Sequence, residues 1–284
     1  MMQSPHIHIL SSASGSKLEL QFRLPAGTPK AVVQINTGTC IPQKIYWKFA
    51  DYLSRHGYIS VTYDMTDADN FSSSVSYADW IKDMDSVMQY LKQSYPDLPL
   101  IVVGHSSGGE FVGTLPSYHL ADKIIMVASS NGYWKKMDWS VRYFMWLFWK
   151  LLVPYSIRKY GYMNNKMLGV SGGFPKNIIL ELRDFCMRPD CFLPFLRERG
   201  IPVQYDKVKV PVIAYHLGDD KIANAAACRY VLDLHINAPR QFISLRARDY
   251  DMKSFGHRGF FAAKAEKLLW PEVLKVLEPV APPS

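Results

Sequence analysis

Apolar and polar positions change rhythm along this chain, and each rhythm predicts an element. Residues 6–10 and 17–24 alternate with a period of two and are broken by Ser and Gly, which predicts an antiparallel strand pair at a sheet edge. His6 and His8 share one face of the first strand and read as exposed strand residues rather than a metal pair. Residues 31–35 form a continuous apolar run of the buried-strand type. Pro42 then opens a helical pattern through Tyr46, Phe49, Ala50 and Leu53, and Gly57 suits its C-terminus. Further strands are predicted at 58–63, 100–103, 123–128, 212–217 and 241–245, with helices over 77–95, after the motif at 104–109, and from about Ala225 through His235. Strands alternating with helices predict a mostly parallel central sheet flanked by helices, an α/β class of fold.

That rhythm stops between residues 133 and 209. The interval holds helix-like pieces around 178–187, a turn at Ser171, Gly172 and Gly173, and eleven of the chain's 38 aromatic residues within 133–162. It predicts a helical, aromatic-rich insertion after the sixth strand. The domain expectation is therefore one discontinuous core, residues 1–132 and 210–284, with a lid or cap at 133–209. The most apolar stretch, 143–153, is about half the length of a spanning helix and contains Lys150, so no transmembrane segment is expected.

Composition narrows the class. With 48% hydrophobic and 20% charged residues, the chain of 284 residues can build a packed core. Its net charge of +8 permits polyanion binding, but the basic residues form no long run, and they read as solvated surface with no nucleic-acid partner. Peripheral membrane contact by the aromatic and basic residues of the insertion is a weaker reading. The first residues, Met1 to His6, carry neither a basic region nor an apolar block, so a cytoplasmic location is the expectation. Cys40, Cys186, Cys191 and Cys228 are too few for a disulfide framework. Cys186 and Cys191 lack a second ligand pair at zinc-site spacing and read as buried thiols.

The candidate chemistry begins at Gly104-His105-Ser106-Ser107-Gly108, a G-x-S-x-G pattern between a buried strand and a helix. A sharp turn there lifts a serine above the sheet edge, and flanking glycines avoid the Cβ clashes that such a turn creates. An ordinary hydroxyl is a poor nucleophile, so Ser106 requires a base and the base an orienting carboxylate, in chain order Ser, Asp or Glu, His. Of the four histidines that follow Ser106, three lie beyond the insertion. His216 lies in a strand and His235 in a helix, whereas His257 stands in a glycine-flanked loop after the last strand and is the expected base. The strand 212–217 ends in Gly218-Asp219-Asp220, and either aspartate could supply the acid. Oxyanion donors are expected from the backbone N–H of Ser107 and from the loop after the third strand, with Thr39 favoured because it follows the small Gly38.

With these residues in place the chain resembles the α/β-hydrolase superfamily, and within it the bacterial hydrolases of the serine-aminopeptidase and lysophospholipase-like group. The resemblance spans residues 31–277. Its specific pieces are Ile35-Asn36; Thr39 with Ile41-Pro42-Gln43 and Tyr46; Gly104-His105-Ser106-x-Gly108-Gly109; Gly132-Tyr133-Trp134; Asp219-Asp220; and Gly256-His257-x-Gly259-Phe260-Phe261. It implies an α/β-hydrolase fold with a lid after strand 6, a Ser106–Asp220–His257 triad, and no metal or organic cofactor. The Asp220-x-Ile222 pattern is what favours Asp220 over Asp219. Tyr133 and Trp134, opening the insertion, are expected near substrate. One departure stands out: where relatives carry Asp-Tyr-Arg-Gly-x-Gly-x-Ser, this chain has a different loop at 63–72 that lacks the Arg-Gly. The expected activity is hydrolysis of a carboxylic ester, or of an amide or thioester, with a small-molecule acyl substrate that has an apolar acyl part. An acyltransferase would use the same triad, and the altered loop prompts a third reading, a scaffold of the same fold without turnover.

Overall fold

Six strands run parallel, each joined to the next through a covering segment that returns the chain to the same edge. The computed structural model describes residues 5–168, 172–189 and 192–278; Met1 to Ser4, Ser171 and Cys191 lie outside them. In chain order the main elements are β1 (His6–Ser11), β2 (Lys17–Arg23), β3 (Ala31–Asn36), α1 (Trp47–Arg55), β4 (Tyr58–Thr62), α2 (Tyr77–Ser94), β5 (Leu100–His105), α3 (Ser107–Glu110) and β6 (Lys123–Val127). There follow α4 (Trp139–Leu147), α5 (Val153–Tyr160), the short β7 (Met163–Asn164) and β8 (Gly173–Phe174), α6 (Lys176–Met187) and α7 (Phe192–Glu198). The chain then resumes the sheet with β9 (Val212–Leu217), α8 (Ala225–Asp233), β10 (Arg240–Leu245) and α9 (Trp270–Leu277).

The sheet order is β1-β2-β4-β3-β5-β6-β9-β10, with β2 antiparallel to both β1 and β4 and every other pair parallel. Alternate residues of the central strands feed two cores. Val32, Val102, Ile124 and Val212 join α2 and the segment between β6 and β9 on one face, while Val33, Ile101, Ile125 and Ile213 join α1 and α9 on the other. This period-two division is why the central strands read as unbroken apolar runs: both faces are covered. Because β3, β5, β9 and β10 are parallel, Asn36, His105, Leu217 and Leu245 all end at one edge, and the loops after them gather there.

Two predicted helices end differently from expectation. The helix from Ala225 stops at Asp233, so His235 lies beyond it, buried, with Nδ1 on the Val231 carbonyl. After Ser106 only one helical turn forms, followed by a 3-10 turn at Val112–Thr114. Gly108, Gly109, Gly113 and Pro116 deny that segment the propensity for a longer helix. No helix among the described residues is long and apolar enough to cross a membrane.

Candidate active site

Ser106 sits between β5 and α3 with φ 52° and ψ −123°, a left-handed conformation that a non-glycine residue adopts only when its surroundings impose it. The surroundings do so through close approach. A Cβ on Gly104 would stand 2.3 Å from the Gly109 Cα, and one on Gly108 would stand 2.5 Å from the Asn36 carbonyl oxygen. The turn is thus locked between its own ends and β3, with the Ser106 N–H donating to the Val127 carbonyl at 2.9 Å.

The carboxylates after β9 divide between two partners. Asp220 is buried and its Oδ2 meets His257 Nδ1 at 2.6 Å, while its Oδ1 accepts from the N–H groups of Ile222 and Ala223 at 2.9 and 3.1 Å. Burial works against ionisation of Asp220, yet the bonds from His257 and these two amides hold its carboxyl below the ordinary aspartate value. Asp219 instead accepts from the N–H groups of Phe255 and Gly256 at 2.9 and 3.1 Å, fastening the backbone of the loop that carries His257. Ser106 and His257 line one cavity. Among the described residues no hydrogen bond joins Ser106 to His257.

The loop after β3 lies against the serine: a Cβ on Gly38 would come within 3.3 Å of Ser106 Cβ. Thr39 is tied down by its side chain, which donates to Ser107 Oγ at 2.8 Å and so accepts from the Tyr77 hydroxyl, also at 2.8 Å. Among the described residues neither the Thr39 nor the Ser107 amide has an acceptor, which leaves both donors available at the site.

A buried relay joins the three loops. His105 Nε2 lies 2.8 Å from the His257 carbonyl oxygen, which can only accept, so that nitrogen carries the proton. Burial lowers the His105 pKa from 6.5 to about 3, so the ring is neutral and its Nδ1 accepts from the Tyr46 hydroxyl at 2.8 Å. Tyr46 in turn accepts from the Gly38 N–H at 3.0 Å. The strand end that carries Ser106, the loop that carries Thr39 and the loop that carries His257 are therefore coupled through two side chains whose part sequence reasoning missed.

The cavity has a volume of about 730 Å³. Its wall is mostly apolar and comes largely from the segment between β6 and β9: Met137, Phe144, Met145, Phe148, Trp149, Phe174, Ile179, Leu182 and Phe185. Tyr133 and Trp134 are not among its lining residues, contrary to expectation. Tyr133 is buried in the core that includes α2, and Trp134 packs against that core under Lys135; their place at the opening of the insertion puts both in packing. Glu110 does line the cavity, and no sequence pattern singled it out. It is 5% exposed, one carboxyl oxygen has no partner, and burial holds its pKa well above the ordinary glutamate value. The altered loop after β4 borders an adjoining cavity of about 300 Å³ through Asp64, Asp69 and Phe71, and Phe71 stacks on Tyr162 at 4.9 Å.

The family model of serine aminopeptidase S33 (Hydrolase_4) matches residues 27–170, from β3 past the Ser106 turn. The chain belongs to this family of hydrolases. Its match contains Ser106 and Thr39 and ends before Asp220 and His257, whose pairing rests on the geometry above. The fold resembles a soluble variant of monoglyceride lipase from Saccharomyces cerevisiae, in complex with a substrate analog, at TM-score 0.69 and 16% identity, covering 97% of this chain and 96% of that one. It also resembles Est1E from Butyrivibrio proteoclasticus at 0.59 and 14%, covering 95% and 97%. The butyrate-bound esterase Est2 from Thermogutta terrifontis matches at 0.58 and 14%, covering 100% and 98%. Similarity at these identities establishes the α/β-hydrolase fold. No curated protein matches the chain in sequence.

Proposed function

We propose that the protein hydrolyses a carboxylic ester with an apolar acyl group through an acyl-enzyme on Ser106. The observation that carries this reading is the meeting of three parts at one cavity: a serine in a strained turn, a histidine held by a buried aspartate, and an apolar wall. In the proposed cycle His257 Nε2 takes the Ser106 proton as Oγ attacks the ester carbonyl, and Asp220 holds the ring with Nδ1–H toward itself and stabilises the imidazolium. The Thr39 and Ser107 amides receive the negative charge of the tetrahedral intermediate. Collapse expels the alcohol with the proton from His257, and water repeats the sequence to release the acid. Attack requires Ser106 Oγ and His257 Nε2 to come into hydrogen-bond reach, a contact that commonly tightens only when substrate binds.

Residues 133–209 act in this reading as a lid whose inner side shapes the acyl pocket. Labelling with a fluorophosphonate tests the nucleophile: the wild type should label and Ser106→Ala should not, and folded wild type that stays unlabelled overturns the proposal. Ser106→Ala and His257→Ala should each lower turnover of a short-chain nitrophenyl ester by on the order of 10⁴-fold.

A further inference from the structure

The segment 139–160 has two sides of opposite use. One lines the cavity through Met145, Phe148 and Trp149. The other is exposed and apolar: Trp139 is 78% and Tyr143 72% accessible, and Trp146, Leu147, Leu151 and Tyr155 are exposed beside them. The helical path continues from α4 into α5 through a π turn at Phe148–Leu152, where Pro154 lacks the N–H that a regular helix would need. A contiguous exposed patch of large apolar side chains marks a contact surface.

Charge selects the occupant. Between residues 133 and 166 there are seven Lys and Arg against one Asp, a net +6 in a chain of net +8. Among the described residues none of these seven forms an ion pair, whereas Arg188, Arg199 and Arg246 elsewhere do. Lys159 instead lies over the rings of Tyr155 and Tyr160. Two copies meeting through this face would oppose like charge with like charge. We infer that the α4–α5 face docks onto an anionic lipid bilayer, lying in the interface with its Trp, Tyr and Leu side chains among the acyl chains and its basic residues at the headgroups. Indole and phenol rings favour that depth, and Lys150 in mid-segment opposes full insertion. Docking so placed would bring the cavity, which the same helices line, close to the lipid surface.

Vesicle flotation tests this without relying on turnover, and Ser106→Ala protein should float as the wild type does, so failure of docking and failure of the hydrolase reading are separable. The wild type should bind vesicles of about one-third phosphatidylglycerol in phosphatidylcholine at least ~10-fold more tightly than pure phosphatidylcholine, and the difference should shrink at about 0.5 M salt. Replacing Lys150 and Arg158 by Gln should weaken binding by on the order of 10-fold. A Trp139→Ser/Tyr143→Ser/Leu151→Ser variant should lose it while keeping its melting temperature and its turnover of a soluble short-chain ester. Wild type that ignores anionic vesicles at low salt overturns the inference. So does a triple variant that binds unchanged, or a dimer in sedimentation that this variant abolishes, which would make a second copy the occupant.

Discussion

Asp219 and Asp220 are adjacent, chemically identical and both at the sheet edge, yet they hold different atoms. Asp220 holds the His257 ring and Asp219 the backbone two residues before it. Asn at 220 removes the charge that favours the Nδ1–H tautomer, so Asp220→Asn should lower kcat by about 10⁴-fold. Asp219→Ala removes the acceptor of the Phe255 and Gly256 amides, which water can partly replace, at about 0.5–1.5 kcal/mol, and should show chiefly as a lower Tm. A dead Asp219→Asn enzyme beside a near-normal Asp220→Asn enzyme, measured on the same ester, would assign the acid to Asp219. The sequence left both aspartates open on residue grounds, because a one-residue shift in a loop changes a side chain's direction entirely without changing composition. Glu110 was invisible for a related reason: an acid shortly after Ser106 reads as a surface helix residue until the cavity wall closes over it.

At the level of elements, the turn between β5 and α3 was the most legible feature, since its glycines report a steric demand met within a few residues. The same demand gives a prediction. Gly108→Ala places a Cβ 2.5 Å from the backbone of Asn36, where nothing flexible can yield, and should destabilise the protein by more than about 3 kcal/mol or prevent folding. Gly27→Ala, with open space around the added methyl, should be neutral or raise stability by about 0.4–1 kcal/mol. Thermal melts of the two variants compare them directly. The strands were equally legible, because their covered faces leave unbroken apolar runs. The helix expected after the Ser106 motif forms only as a single turn, Ser107–Glu110, followed by a 3-10 turn, because three glycines and a proline disfavour its continuation.

The whole molecule carries a pH signature in its buried neutral histidines. Burial lowers His105 from 6.5 to about 3 and His235 to about 4. Between the folded and unfolded values the unfolded chain binds more protons, so stability rises with pH across that window and is lost as pH falls from about 6.5 toward 4. Each group contributes a slope of up to about 1.4 kcal/mol per pH unit. Asp220 acts in the same direction lower down, its depressed pKa adding stability above the ordinary carboxylate range that is lost on further acidification. Urea denaturation across pH 4–7 should therefore show a rising midpoint, and His235→Leu, which removes a buried ring whose Nε2 has no partner, should flatten that rise. A midpoint independent of pH would mean that these rings are not kept neutral. By itself the sequence determined the order of the core elements, the mostly parallel sheet, the Ser106 turn and the short list of acids and bases, because periodicity, glycine demand and chain order are local properties. Only the tertiary structure decided which aspartate meets His257 across 37 residues of chain, that Tyr46 and His105 couple the loops, and that 139–160 shows one face to the cavity and another to solvent. Those outcomes depend on contacts between distant segments, and distant contacts leave no mark in the spacing of neighbouring residues.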